Sequence, residues 1–293
     1  MSDSLNQPIR LRRLRASAGI RAMLSETVVE PRHLIQPLFV TEGEQAEPIA
    51  SLTGISRIPL SQLAAKCAEL QLLGVHGVAL FPKIDPKRKT AEGAEALNPN
   101  NLALRAIREV KTKCPGIVIF ADIALDPYTS HGQDGVIDSS GYVLNDETSV
   151  ILAKQALIHA QAGVDIVAPS DMMDGRITAI RKFLDNNNFQ NVGIISYSAK
   201  YASNFYGPFR DAVGSSNNLK QGNKKTYQMD FHNSGEALRE IAFDIEEGAD
   251  AIIIKPAMPY LDIIANSRRS FPIPIFAYQV SGEFAMLKFA EKH

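Results

Sequence analysis

Residues 245–256, IEEGADAIIIKP, read as the end of a helix, a glycine stop, and a buried strand that finishes on a lysine. The same grammar recurs at residues 69–81, ELQLLGVHGVALF, and at 159–170, HAQAGVDIVAPS. Glycine is the usual stop because it enters left-handed backbone without a Cβ clash. The apolar runs that follow are nearly continuous rather than alternating, as in parallel strands covered by helices. Strand-like runs fall at 35–40, 75–81, 117–125, 165–169, 192–198, 251–255 and 274–280. Helical patterns fall at 61–73, 101–113, 148–162, 176–186, 236–247 and 282–290. In 236–247, Leu238, Ile241, Ala242 and Ile245 keep helical spacing, with Ser234 as the expected cap and Gly248 as the stop. Repeated βα units imply an α/β barrel or an open doubly wound sheet. No G-x-G-x-x-G follows the first strand and there is no P-loop, which speaks against nucleotide binding.

The 293 residues carry 31 Lys and Arg against 32 Asp and Glu, so no net field recruits nucleic acid or an anionic membrane. Two cysteines, Cys67 and Cys114, are too few for a disulfide framework and read as thiols of a reducing, cytoplasmic compartment. No apolar run is long enough to span a membrane. The N-terminus is basic, with Arg10, Arg12, Arg13, Arg15 and Arg21, and reads as a partner-contacting arm or a transit peptide. No linker divides the chain, so one domain is expected. Two connections, 83–99 and 201–230, are long enough to be functional loops.

Three segments carry candidate chemistry. In IISYSAKYAS, 194–203, simple alternation puts Ile194, Ser196, Ser198 and Lys200 on one strand face. Lys255 ends the next strand. Two lysines at the ends of successive strands would meet at the active face of a barrel. Apolar walls and a neighbouring ammonium both favour a neutral amine, the form that makes a Schiff base. The plainer alternative is that each lysine only reaches solvent. In FADIALDPYTSHGQDG, 120–135, Asp122, Asp126 and Asp134 suit Mg²⁺ bound partly through water, or else they cap turns or pair with the lysines. No cysteine lies here to make a thiolate zinc site. His131 reads as a ligand or a turn residue with local hydrogen bonds. The loop 206–230, YGPFRDAVGSSNNLKQGNKKTYQMD, offers Arg210, Lys220, Lys224 and Lys225, and reads as a basic lid able to grip a carboxylate or as a solvated loop, which charge count alone favours. Ser170, Asp171 and Asp174 touch substrate or cap a helix; Ser281 near Tyr278 presents the same choice.

These strings together resemble the porphobilinogen synthase (5-aminolevulinate dehydratase) family. RLRRLR at 10–15, PLFVTEG at 37–43, SYSAKYASNFYGPFRD at 196–211, GNKKTYQMD at 222–230 and YQVSGEFAM at 278–286 extend the likeness over nearly the whole chain. The resemblance implies a TIM-type (β/α)8 barrel over 31–293 with an N-terminal arm over 1–30. It implies condensation of two 5-aminolevulinates through Schiff bases on Lys255 and Lys200. Arg210 and Lys224 would hold one substrate carboxylate, with Gln228 in support. Ser281 and Tyr278 would serve the other substrate, and Asp122 and Ser170 a substrate amine. Zinc-dependent members carry three cysteines where this chain has Ala124, Asp126 and Asp134. The likeness is therefore to the branch without catalytic zinc, with Mg²⁺ at an allosteric site between subunits and Glu240 as its acidic ligand. Asp126 and Asp134 stay candidate metal ligands. No organic cofactor is expected, and a homo-octamer of arm-exchanging dimers is.

Family members continue past the position of His293 into an eighth strand and last helix, so the barrel is expected to lack them here. SLTG at 51–54 replaces the usual SMPG. Two other readings are a class I aldolase for another keto substrate and an inactive truncated subunit.

Overall fold

The computed structural model describes residues 8–213 and 223–291. Its strands are β1 (Ile35–Thr41), β2 (Glu47–Pro48), β3 (Ser56–Pro59), β4 (Gly77–Pro82), β5 (Val118–Ile123), β6 (Ile166–Pro169), β7 (Gly193–Lys200), β8 (Ala251–Lys255) and β9 (Ile275–Ala277). Its α-helices are α1 (Ala18–Met23), α2 (Leu60–Leu72), α3 (Leu102–Lys113), α4 (Asn145–Gln161), α5 (Arg176–Asn186), α6 (Gly207–Ala212), α7 (Ser234–Glu246), α8 (Leu261–Ser270) and α9 (Ser281–Ala290). The seven anticipated strands are all present. They pair in parallel in the order β1-β4-β5-β6-β7-β8-β9, and β3 adds to the outer edge of β1. Among the described residues β1 and β9 do not pair with each other.

The two faces of the sheet decide between barrel and open sheet. Phe120, Ala168, Ile195, Tyr197, Ala251 and Ile253 form an inner cluster with Ile35, Ala79, Ile166 and Phe276, all of them strand residues. Their neighbours Ile119, Ala121, Ile123, Val167 and Ile194 pack the other way, against Leu63, Ile107, Leu152 and Ile177 of the helices. One face filled by strand side chains and the other covered by helices is the wall of a (β/α) barrel. Gly163 and Gly248, with φ of 98° and 107°, follow α4 and α7 in the left-handed region and turn the chain into β6 and β8.

Some local expectations fail. Asn233, not Ser234, occupies the N-cap of α7, and no side chain caps it; Ser234 is the first helical residue. The helix α8 escaped notice because it buries only Ile263 and Ser267 and ends in the polar run NSRRS, so its apolar stripe is thin. The strands β2 and β3 are too short for a pattern to show. The N-terminal segment forms a 3₁₀ turn, Leu11–Arg15, and α1, with no buried residue in either. Ile9, Leu11, Met23 and Val29 stand exposed along it. No helix among the described residues is long and apolar enough to cross a membrane.

Candidate active site

Lys200 and Lys255 are register partners at the C-terminal ends of β7 and β8. Both are buried. Simple alternation places Lys200 correctly in the chain but gives the wrong reason. Ile194 and Ser196 face the helical layer, where Ser196 bonds Asp244 of α7. A register shift between Ser196 and Ala199 reverses the alternation, so Lys200 turns inward with Ile195 and Tyr197 instead. The strand β8 has no such irregularity: Ala251 and Ile253 point inward, Ile252 and Ile254 outward, and Lys255 inward.

The two amines have different surroundings. The Lys255 Nζ sits 4.5 Å from the ring centre of Tyr278, 5.1 Å from those of Tyr197 and Phe209, and 5.3 Å from that of Tyr206. Burial, then the neighbouring Lys200 ammonium, brings its pKa down to about 7, against the pull of Asp122, Asp126 and Asp134. Lys200 donates to the Ser170 carbonyl and lies 3.8 Å from Asp134 Oδ2. Asp122, on the inner face of β5, is bonded by the Ser170 side chain; burial pushes its carboxyl up while both lysines resist.

Lys224 closes the opposite side. Its ammonium is 3.2 Å from Asp134 and 3.5 Å from Asp126. Burial opposes that charge, but the two carboxylates more than offset it and hold the Lys224 pKa above the ordinary value. Burial raises Asp126, whereas Lys200 and Lys224 overcome burial at Asp134 and lower it. Asp126 and Asp134 are thus counter-ions of lysines, and no group of three or more His, Cys, Asp or Glu among the described residues could hold a metal ion. His131 is hydrogen-bonded to the Ala91 carbonyl, 40 residues away, and accepts from the Gln133 N–H.

Arg210, on α6, is near enough to Lys224 and Tyr206 for its charge to oppose slightly the raised pKa of each. Lys220 lies outside the described residues. Ser281 does not cap α9, whose N-cap is Val280. Its Oγ accepts from the Phe209 N–H at 2.9 Å and donates to the Phe205 carbonyl at 3.1 Å, which ties α9 to the segment carrying Arg210. Gln228 and Glu240 are not brought to the lysines. They line a separate cleft of about 420 Å³ with Asp174, Asp230, Glu236 and Lys225. Burial there raises the Glu240 carboxyl to about 6, with Asp244, Asp174 and Glu236 adding to the effect and Arg176 opposing it. Asp171 and Asp174 also stay out of the mouth: Asp171 accepts from Met173 N–H and faces Arg176, and Asp174 bonds Asn145.

The family model described as delta-aminolevulinic acid dehydratase matches residues 8–293. The chain belongs to the delta-aminolevulinic acid dehydratase family. The dehydratase of Bradyrhizobium diazoefficiens is 50% identical over 287 residues, 98% of this chain and 81% of the relative. The chloroplastic dehydratase of Glycine max is 50% identical over 96% of this chain and 68% of its own length. The crystal structure of the dehydratase (porphobilinogen synthase) from Toxoplasma gondii ME49, in complex with the reaction product porphobilinogen, matches with a TM-score of 0.96. It is 46% identical and covers 98% of this chain and 82% of that one. The TIM-type barrel reading holds.

Around this dehydratase mouth the structure adds residues that sequence reasoning missed. Tyr197, Tyr206 and Phe209 build the aromatic wall of Lys255; their only signal was an aromatic-rich string around Lys200. Lys89 is buried and feels Asp126 across the mouth. Arg176 anchors the floor from below through Asp244, Ser196 and the Tyr197 carbonyl.

Proposed function

We propose that this chain condenses two 5-aminolevulinate molecules to porphobilinogen, and that Lys255 and Lys200 carry the chemistry. The observation behind this reading is two buried amines side by side, one with its pKa near neutrality. A neutral Lys255 adds to a substrate ketone, and loss of water leaves an iminium, an electron sink for C–C bond formation. Lys200, against Asp134 and the Ser170 carbonyl, takes the ketone of the second molecule in the same way. Both ketone oxygens leave as water. Lys224 and Arg210 hold one substrate carboxylate from the lid side, and Ser281 and Tyr278 receive the other. Asp122 and Ser170 are placed to accept a substrate ammonium and move a proton from it.

Magnesium enters this reading only as an allosteric ion. The cleft that includes Glu240 is lined by four carboxyl groups, and burial, with a smaller contribution from the neighbouring carboxylates, raises the Glu240 pKa. A hydrated dication held by one or two carboxylates fits that donor set. Asp126 and Asp134 fit a metal less well, because a cation there would have to displace Lys224. Zinc is not needed where Ala124, Asp126 and Asp134 stand. The exposed apolar residues of the N-terminal segment support an arm that packs on a second copy, in dimers that build an octamer, in the cytoplasm. The test is incubation with 5-aminolevulinate, with and without Mg²⁺, followed by a pyrrole colour reaction and by size-exclusion chromatography. Borohydride should trap substrate on Lys255 and fail to do so in Lys255→Ala. A borohydride-stable adduct missing from Lys255 or from Lys200 would overturn the reading.

A further inference from the structure

Glu283 is fully buried in the first turn of α9. Its carboxyl oxygens accept from the Val280 N–H at 2.6 Å, the Met258 N–H at 2.5 Å and the Ala257 N–H at 3.4 Å. The first of these donors lies between Tyr278 and Ser281; the other two follow Lys255 by three and two residues. One carboxyl group therefore joins the end of β8 to the corner that carries Ser281 and Tyr278. The corner cannot drift freely on its other side, because a Cβ added at Gly282 would come within 2.8 Å of the Phe205 Cα. Because Glu283 is fully buried, a substitute acceptor for these N–H groups is costly to supply, so the tether is hard to exchange.

We infer that Glu283 is a positioning residue for the condensation: it sets the Lys255 amine against the Ser281–Tyr278 wall that receives a substrate carboxylate. This rests on the proposed function. An imine forms only when amine and ketone meet in a narrow range of geometry, and displacement of about 1 Å can reduce the rate about 100-fold. Lys200 is anchored elsewhere, through Ser170 and Asp134, and stands outside the direct reach of the tether.

The test is borohydride trapping with 5-aminolevulinate on wild type and Glu283→Gln, with adducts on Lys255 and Lys200 quantified by peptide mass spectrometry. Wild type is expected to carry both adducts; if either is missing, the functional reading fails rather than this one. In Glu283→Gln the ratio of Lys255 to Lys200 adduct should fall about 10-fold or more, with a cooperative thermal transition retained. An unchanged ratio, or equal loss at both lysines together with a lowered melting temperature, overturns the positioning role. Glu283→Asp keeps the carboxyl but retracts it by one methylene. It is read in the same way and covers the case in which the amide does not fold.

Discussion

The Lys255 amine should titrate near neutrality, and removing the neighbouring charge should move it predictably. With an ordinary value of 10.5, about one amine in 3,000 would be neutral at pH 7, whereas at about 7 roughly half is. Lys200→Met keeps the side-chain length and deletes the ammonium. Neighbouring strands lie about 4.8 Å apart, so the two side chains, projecting in parallel, place their charges on the order of 5 Å apart. At an effective dielectric constant of about 20 that repulsion is about 3 kcal/mol. Asp134, 3.8 Å from the Lys200 Nζ, screens part of it, which leaves about one pKa unit, or about 1.4 kcal/mol. The midpoint of Lys255 should thus rise from about 7 to about 8 in Lys200→Met. Asp122→Asn should shift it down, because Asp122 favours the ammonium. The assay is the initial rate of borohydride-trapped adduct on Lys255 as a function of pH, which is independent of turnover and so survives loss of Lys200. A wild-type midpoint in the ordinary lysine range, or an identical midpoint in Lys200→Met, refutes the reasoning.

Three further outcomes are expected. Lys224→Met should raise KM for 5-aminolevulinate about 10- to 100-fold, with a smaller change in kcat, since it removes a charge-assisted carboxylate contact; steady-state kinetics reads it. Arg176 bridges Asp244 at 3.0 Å and Asp171 at 3.5 Å inside the protein, so Arg176→Met strands two buried carboxyl groups and should destabilise the fold by about 3–5 kcal/mol in urea denaturation. His159, buried in α4 with neither ring nitrogen hydrogen-bonded, has its pKa lowered by burial from 6.5 to about 4. The unfolded chain therefore binds this proton first, and stability should fall by up to about 3 kcal/mol as pH drops from about 6.5 to 4. His159→Phe should flatten that slope in pH-dependent denaturation.

What could be read from sequence follows the range over which each signal acts. Seven strands and six helices were legible because burial imposes periodicity on several consecutive residues, and glycines such as Gly163 and Gly248 mark the corners. The pairing of Lys200 with Lys255 was legible because parallel neighbours in a barrel end at one face. The side on which Lys200 emerges was not, since a bulge of one residue between Ser196 and Ala199 has no compositional mark and inverts the face of all that follows. Long-range polar contacts were equally hidden. The carboxyl of Glu283 reaches Met258, 25 residues away, and Arg176 reaches Asp244 across 68. Nothing near Glu283 in the chain announces those donors. Asp126 and Asp134 were ambiguous for a different reason: carboxylates at that spacing suit a dication or an ammonium equally, and only the position of Lys224 decides between them.

The two lysines are partners in register yet not equivalent in chemistry, and the bulge in β7 accounts for that difference. Had β7 kept strict alternation, Lys200 would face the helical layer beside Arg176, and Lys255 would lose the ammonium that helps neutralise it. With the bulge, Lys200 enters the mouth on the Asp134 side, where a carboxylate and the Ser170 carbonyl surround its charge. Lys255 keeps the side walled by Tyr197, Tyr206, Phe209 and Tyr278, where the cost of burying a cation exceeds what the ring faces return. A pair of amines in one environment would compete for the same proton and the same ketone. Here one is held among hydrogen-bond acceptors, while burial and its neighbour's charge bring the pKa of the other down to about 7. The Lys200 charge helps to keep its neighbour neutral, because two ammonium groups so close repel each other in a buried site.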